Sequence, residues 1–237
     1  MEHIVIGIEG LVGAGKTTMA RKLLDCIPDS IILHGGNIYR AVVATLLKSG
    51  LSGKELAKQA SGLDPLEILK QQKLSVEIEN RESVIYWNGK KMEEKDLQSE
   101  ASSMAVSQMS QVANNQKLYA FGRALIRSFQ EKYNVILSSR DIMKMYPETD
   151  YHFFITASLE ERIRRKYIQY TENQTIVDEA KFKQELKEHI QERDELQEKA
   201  GYYKQYEKTI VIDVTEDTAP EQSVQKMLAH MKIPSMR

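Results

Sequence analysis

Cysteine is almost absent from this sequence, since Cys26 is the only one among 237 residues. One thiol cannot form an internal disulfide bridge, and a chain of this length buries enough surface to be stable without one. Such chains are typical of reducing compartments. We therefore expect a cytoplasmic protein, and we interpret Cys26 as a buried structural thiol and not as a nucleophile.

Long apolar runs are absent as well. No stretch approaches the roughly 20 apolar residues that span a bilayer. The first eight residues lack the basic region and the apolar run of a signal peptide. These absences predict a protein without a membrane partner.

An excess of charge of either sign is also missing, because 33 Lys and Arg residues balance 34 Asp and Glu residues. No global field attracts nucleic acid, so we expect no nucleic-acid partner. We also expect a monomer or a weak homo-oligomer. The charges are clustered instead. Arg162, Arg164, Arg165 and Lys166 lie within five residues, and such a run repels itself unless an anion binds nearby. Residues 185–199 alternate in charge, as an exposed helix face does.

Apolar, β-branched segments that are typical of buried strands recur along the chain. They lie at 3–8, 30–34, 134–139, 151–156 and 209–213. Helical spacing separates them, which predicts an α/β protein with a five-stranded parallel sheet flanked by helices. Ser158 and Glu161 form a capping-box pattern at the start of one of these helices.

The middle of the chain has a different pattern. Residues 74–79 and 83–87 alternate in polarity, and Asn88-Gly89 is a hairpin-turn signal. Antiparallel hairpins do not belong inside a parallel crossover, so we predict an inserted acceptor-binding subdomain over 53–98. The core would then comprise 1–52 and 99–237, with a lid at about 162–195.

The segment from Gly10 to Thr17 carries the clearest chemical signal. Its pattern, Gly-x4-Gly-Lys-Thr, follows a predicted strand and precedes a predicted helix, as a phosphate-binding P-loop does. Glycines let the backbone approach the phosphates, and the N–H groups of the loop and of the helix N-terminus bind them. Lys16 would contact the β- and γ-phosphates of ATP, and the Thr17 hydroxyl would ligate Mg²⁺. The predicted nucleotide-binding residues are Gly10, Gly13, Ala14, Gly15, Lys16, Thr17 and Thr18.

Three further segments resemble the cytidylate kinase family of P-loop nucleoside monophosphate kinases. Gly35-Gly-Asn-Ile-Tyr-Arg40 resembles the Ser-Gly-x-Ile-Tyr-Arg of that family, and Ser138-Ser-Arg-Asp141 resembles its Asp-Gly-Arg-Asp. Residues 157–165 are similar to its Ala-Ser-x-Glu-Glu-Arg-x-x-Arg, which leads into the lid. The resemblance implies the P-loop NTPase fold, ATP and Mg²⁺ as cofactors, and a small-molecule acceptor, most simply CMP or dCMP.

The same resemblance implies roles for individual residues. The predicted acceptor-binding residues are Gly35, Tyr39, Arg40, Arg140, Asp141 and Arg193, and the predicted catalytic residues are Lys16, Asp141, Arg162 and Arg165. The spacing of Arg162 and Arg165 puts them on one helix face, from which they could neutralise the transferring phosphoryl group. Glu9 would act in the outer shell of the metal or as a carboxylate at the helix entry.

The departures from the family pattern lie where the acceptor is recognised. Gly35 replaces a serine, Ser138 an aspartate, Gln98 an arginine, Gln197 an aspartate and Ala200 an arginine. Three hypotheses therefore stay open. The chain is a kinase of CMP or dCMP, a kinase of the same build with another small-molecule acceptor, or a nucleotide-binding regulator that has lost phosphotransfer. Direct in-line transfer is expected for the first two, with Asp141 as the base if the acceptor atom is a hydroxyl.

Overall fold

A computed structural model describes residues 3–48, 67, 70, 73–93, 97, 116–172 and 175–231. The strands are β1 (Val5–Gly10), β2 (Ser30–His34), β3 (Leu74–Glu79), β4 (Glu82–Trp87), β5 (Lys90–Lys91), β6 (Asn134–Ser138), β7 (Tyr151–Thr156) and β8 (Thr209–Asp213). The helices are α1 (Lys16–Cys26), α2 (Gly35–Lys48), α3 (Gln116–Gln130), α4 (Ile142–Met145), α5 (Leu159–Thr171), α6 (Glu179–Lys199) and α7 (Pro220–His230).

A central sheet organises these elements. Its five parallel strands run in the order β2-β6-β1-β7-β8, so β1 pairs with β6 on one side and with β7 on the other. The five-stranded parallel core predicted from the sequence is confirmed, and the chain has the P-loop NTPase fold. Because the strands are parallel, the loops that follow β1, β2, β6 and β7 meet at one edge of the sheet.

The antiparallel strands predicted in the middle of the chain are present, and they extend this same sheet. β3 pairs with β4, and β4 joins β2 at Ile32 and Glu82. Two side chains hold the hairpin there: Arg21 Nε lies 2.9 Å and His34 Nε2 lies 2.7 Å from the Glu82 carboxylate. Most of 53–72 and of 94–115 lies outside the described residues, so the subdomain at 53–98 stays a prediction.

Two apolar layers cover the faces of the sheet. Ile6 and Ile8 of β1 point to the layer that contains α1 and α7, where they pack with Leu23 and Met227. Val5 lies in the opposite cluster, with Ile126 of α3, Ile142 of α4 and Tyr146, which follows α4. Both faces of β1 are thus covered, and the strand is buried at every position.

Helix α5 begins at the predicted cap. The Ser158 hydroxyl accepts the Glu161 N–H at 3.2 Å. The reciprocal half of the predicted capping box is replaced, since the Ser158 N–H donates to the Thr215 hydroxyl at 2.9 Å. The Glu161 carboxylate binds Arg164 and Arg165 instead, at 2.6 and 2.7 Å. The basic run is therefore partly neutralised within its own helix.

Among the described residues, we find no helix with the length and apolarity needed to cross a membrane.

Candidate active site

The glycine-rich loop joins β1 to α1 at the carboxyl edge of the sheet. Gly10 has a φ of 147°, and a Cβ at this position would lie 2.1 Å from the Ile155 carbonyl oxygen of β7. Gly15 has a φ of 93°, in the left-handed region that glycine adopts without strain. Ala14 is buried, whereas Thr17 and Thr18, in the first turn of α1, line the cleft above the loop. The geometry of an anion-binding loop is thus built into the chain.

Lys16 lies folded onto its own loop. Its Nζ donates to the carbonyl oxygens of Gly10 and Leu11, both at 2.8 Å. The pKa of Lys16 is lowered to about 7, chiefly by desolvation and then by the positive charges of Arg140 and Arg193, against the opposite effect of Asp194 and Glu9. An anionic ligand above the loop would supply the negative charge that this ammonium lacks.

A cationic cleft of about 1370 Å³ opens above the loop, between α1, α5, α6 and the segment before α7. Its described basic lining comprises Lys16, Arg21, Arg40, Arg140, Arg164, Arg165, Lys166 and Arg193. Burial lowers the pKa values of Arg140 and Lys166, and the nearby charge of Arg193 adds to both shifts. Clustered and desolvated cationic side chains are typical of a site that binds a polyanion such as a triphosphate.

The two predicted lid arginines, Arg162 and Arg165, contact the backbone of the P-loop. Arg162 is buried, does not line the cleft, and donates through Nη1 to the Val12 carbonyl oxygen at 3.2 Å. Arg165 lines the cleft and donates to the carbonyl oxygens of Ala14 at 3.1 Å and of Val214 at 2.7 Å. Both side chains thus hold the P-loop backbone, and their role toward the phosphoryl group stays a prediction.

Asp194 is a residue of this site that the sequence reasoning missed. Its carboxylate lies on α6 and binds Arg162, the Tyr203 hydroxyl and, at 3.4 Å, the Val12 N–H of the P-loop. Burial raises the pKa of Tyr203, and the bond to Asp194 raises it further. In the sequence Asp194 is one acid among many in a charged helix, and no local signal distinguishes it.

Glu9 and His152 form a second buried pair beside the loop. Glu9 Oε1 accepts the Ile142 N–H at the start of α4, and Oε2 lies 2.8 Å from His152 Nε2, with the Ile142 bond also at 2.8 Å. His152 Nδ1 lies 3.0 Å from the Thr209 hydroxyl of β8. The Glu9 carboxylate is therefore a helix-entry ligand for α4, and His152 is a partner that sequence reasoning did not identify.

A smaller pocket of about 120 Å³ lies next to the cleft, beside β2 and β6. Its walls are mostly apolar and aromatic: Leu33, Ile38, Tyr39, Phe121, Leu125, Leu137, Met145 and Tyr202 belong to them. The predicted acceptor residues Gly35, Arg40, Arg140 and Asp141 line it as well. Arg40 and Arg140 also line the cleft, so the two spaces meet at these two guanidinium groups. Arg193, on α6, lines only the cleft.

Asp141 is held by two partners within this pocket. It has a φ of 57°, and its carboxylate is buried. The Tyr119 hydroxyl donates to Asp141 Oδ2, and Lys144 Nζ lies 3.2 Å from the same carboxylate. Burial and then the bond to Asp141 raise the pKa of Tyr119. Tyr119 is a further pocket residue that the sequence reasoning missed, because its partner lies 22 positions away.

Gly35 and Ser139 fill one space between the ends of β2 and β6. A Cβ on Gly35 would lie 2.4 Å from Ser139 Oγ and 2.8 Å from Ser139 Cβ. The family pattern has serine at the first position and glycine at the second, so this chain carries the reverse combination. The hydroxymethyl group has moved to the neighbouring strand end, and the two side chains exclude each other sterically.

The other departures from the family pattern lie in different parts of the structure. Gln197 is 1% exposed and lines the small pocket. Ser138 ends β6, and Ala200 follows the last residue of α6. Gln98 lies outside the described residues.

The chain is similar to known proteins over most of its length. The family model described as cytidylate kinase matches residues 6–233. A cytidylate kinase of Clostridium botulinum (strain Loch Maree) is 32% identical over 231 residues, which cover 93% of this chain and 94% of the relative. A cytidylate kinase of Caldanaerobacter subterraneus is 29% identical over 221 residues, covering 92% and 90%. A shikimate kinase structure from Bacteroides thetaiotaomicron is 17% identical, covers 97% of this chain and 99% of its own, and has a TM-score of 0.43.

Proposed function

Since this chain belongs to the cytidylate kinase family and is a nucleoside monophosphate kinase, we propose that it transfers the γ-phosphoryl group of ATP to CMP or dCMP. The observation that carries the proposal is the junction of the two spaces. Arg40 and Arg140 line both the cationic cleft and the small pocket. Guanidinium groups bind phosphate through paired N–H donors, so an acceptor phosphate at this junction would face the P-loop.

The donor would occupy the cleft above the P-loop. Its phosphates would accept hydrogen bonds from the N–H groups of the loop, and Lys16 would turn from the carbonyl oxygens of Gly10 and Leu11 toward them. The ammonium that burial destabilises would gain an anionic partner there. Lys16 and Arg140 are the groups best situated to neutralise charge on the transferring phosphoryl group.

Mg²⁺ fits the described residues as a companion of the nucleotide. The described residues contain no cluster of three or more His, Cys, Asp or Glu side chains that could hold a metal. Mg²⁺ with ATP needs no such cluster, because phosphate oxygens and water supply most of its ligands. The Thr17 hydroxyl lines the cleft and would be the protein ligand. The ion would supply positive charge beside the phosphate oxygens.

The acceptor would enter the small pocket with its ring against the aromatic and apolar walls. The pocket, of about 120 Å³, has these walls on several sides of the space that the ring would enter. A phosphate oxygen is already anionic, so its attack on the γ-phosphorus needs no general base. This agrees with the state of Asp141, whose carboxylate is bonded to Tyr119 and Lys144. We therefore assign Asp141 to acceptor binding and not to proton transfer.

Helices α5 and α6 would exclude water from the phosphoryl group. Tyr170 packs edge-on against Phe182, which joins the two helices into one unit over the cleft. Closure of this unit on bound nucleotide would keep water from the phosphoryl group.

Purified protein tests the proposal through ADP release from ATP and Mg²⁺ with CMP, dCMP, other nucleoside monophosphates, sugars and hydroxylated metabolites. We expect turnover with CMP and dCMP. Selective turnover of a non-nucleotide would refute the proposal and favour a kinase with another acceptor. ATP binding without turnover of any acceptor would favour a regulatory nucleotide-binding protein.

A further inference from the structure

One buried side chain of the small pocket carries polar atoms that form no hydrogen bond with the described part of the protein. Gln197 is 1% exposed, lines the pocket, and neither its Oε1 nor its Nε2 has a hydrogen-bond partner among the described residues. A buried polar group without a partner is costly, and most such groups in native proteins are satisfied. An amide with both ends unsatisfied in a ligand pocket therefore indicates a group that the ligand satisfies.

The position of Gln197 is fixed by the backbone around it. Its carbonyl oxygen accepts the Tyr202 N–H at 3.0 Å, and the Gly201 N–H bonds to Glu198 O at 2.8 Å. These bonds close the last turn of α6 against the pocket. They fix the backbone from which the side chain extends, and the amide can rotate about its own terminal bond.

The other polar groups of the pocket divide into two kinds. Asp141, the one carboxylate among the described lining residues, is bonded to Tyr119 and Lys144. The Tyr39 hydroxyl is buried without a hydrogen-bond partner in the described structure, like the Gln197 amide. A hydroxyl and an amide can each both donate and accept. The Gln197 amide and the Tyr39 hydroxyl are therefore available to the uncharged part of the acceptor, and each of them can donate or accept a hydrogen bond.

We propose that Gln197 is a specificity-determining residue that makes the enzyme accept uracil and cytosine nucleotides alike. The inference rests on the proposed function. Cytosine presents an amino donor next to a ring-nitrogen acceptor, and uracil presents the reverse, a carbonyl acceptor next to a ring N–H donor. A carboxamide matches the first edge in one orientation and the second after a half-turn of its terminal torsion.

The size of the expected discrimination follows from this freedom. A site rejects an analogue by a large factor when its own buried polar groups are left unmatched. The Gln197 amide has a matching orientation for either ring, so neither ring leaves it unmatched. We therefore expect kcat/KM values for CMP and UMP within about tenfold of each other.

Steady-state kinetics of the full chain with ATP, Mg²⁺ and either CMP or UMP measure this ratio directly. A preference for CMP above about 100-fold would overturn the inference and leave the proposed function intact. Absence of turnover with every nucleoside monophosphate would overturn the proposed function, and this inference with it. The two failures are thus distinguishable.

A matched pair of substitutions on one helix tests the role of the side chain. Gln197→Glu creates a group that only accepts, so it matches the amino group of cytosine but not its ring nitrogen, and the ring N–H of uracil but not its carbonyl. Each ring then keeps one unmatched group, so kcat/KM should fall about tenfold or more for CMP and for UMP alike. Gln191→Glu adds the same charge at an exposed position of α6 and should leave both kcat/KM values unchanged. Unchanged kcat/KM values in Gln197→Glu overturn the inference.

Gln197→Leu provides the test if the glutamate variant does not fold, as judged by circular dichroism. The leucine removes both hydrogen-bonding directions, so kcat/KM should fall about tenfold or more, and by a similar factor, for CMP and UMP. A loss for one nucleotide only would contradict the proposal.

Discussion

At the scale of single residues, two features of the site depend on neighbouring side chains: the pKa of Lys16 and the space between Gly35 and Ser139. Lys16 has a pKa of about 7 because burial and the charges of Arg140 and Arg193 oppose its ionisation. This shift opposes folding below pH 7, where the ammonium is charged in both states. The opposition declines as pH rises from 7 toward the ordinary value of 10.5, because the folded chain then loses its proton first.

Nucleotide binding should reverse this shift, because phosphate anions favour the charged ammonium. At pH 8 we therefore expect ATP binding to take up close to one proton, and affinity to fall by up to about tenfold per pH unit above 7. Calorimetric titration in buffers of different ionisation enthalpy measures the uptake. Lys16→Met should abolish it and should reduce turnover at least about 100-fold. Uptake that persists in Lys16→Met would contradict the assignment to Lys16.

The space shared by Gly35 and Ser139 provides a second residue-scale prediction. Gly35→Ser alone should destabilise the fold by about 1–3 kcal/mol, because its Cβ would meet Ser139 Oγ at 2.4 Å. Adding Ser139→Gly should restore most of the loss, since it vacates that space. Urea denaturation of the wild type, both single variants and the double variant closes the cycle. Strict additivity of the two changes would show that the side chains do not compete.

At the scale of elements, one carboxylate joins α5 and α6 to the P-loop. Asp194 of α6 binds Arg162 of α5, Tyr203 beyond α6, and the Val12 N–H of the loop. Three segments that are distant in sequence therefore converge on one side chain. The arrangement keeps Arg162 pressed against the loop at its Val12 carbonyl oxygen.

Asp194→Asn should weaken this junction, because a neutral amide cannot compensate the Arg162 guanidinium and has one oxygen for three donors. We expect a loss of about 2–4 kcal/mol in the free energy of unfolding, together with faster hydrogen exchange at the Val12 amide. Glu195→Gln is the matched control, since its carboxylate is 69% exposed and lies 3.7 Å from Lys199. The control should change stability by less than about 0.5 kcal/mol. Equal effects of the two substitutions would refute the junction.

At the scale of the whole molecule, the Glu9–His152 pair ties three strands and a helix into one body. Glu9 is the penultimate residue of β1, next to the P-loop, His152 lies in β7, Thr209 begins β8, and Ile142 begins α4. The Thr209 hydroxyl accepts the Tyr206 N–H at 2.8 Å and lies 3.0 Å from His152 Nδ1, while His152 Nε2 lies 2.8 Å from the Glu9 carboxylate.

Glu9→Gln should destabilise the molecule by about 1–3 kcal/mol, because an amide presents one acceptor to two buried donors and leaves its own N–H groups opposite them. The exposed Glu148→Gln serves as the control, because Glu148 only forms a surface pair with Arg127. Chemical denaturation compares the two. The Glu9 variant should also lower kcat/KM, since the segment that carries Arg140 and Asp141 loses its anchor at Ile142. Unchanged stability and activity would contradict this account.

The parallel core and the P-loop could be predicted from the sequence alone. Both are local patterns: β-branched runs predict buried strands, and glycines at fixed offsets before Lys16 and Thr17 predict a phosphate-binding turn. The grouping of Tyr39 and Arg40, which follow β2, with Arg140 and Asp141, which follow β6, could also be predicted, because parallel strands end at one edge of a sheet.

Which side chains meet there could not be predicted, because it depends on how the elements pack. Tyr119 on Asp141, Asp194 on Arg162, His152 on Glu9 and Ser139 against Gly35 are pairs between distant segments. The same applies to Gln197, whose buried amide becomes a candidate for acceptor recognition only when α6 packs beside the pocket. Burial and partner geometry arise from packing between elements, and no local pattern records them.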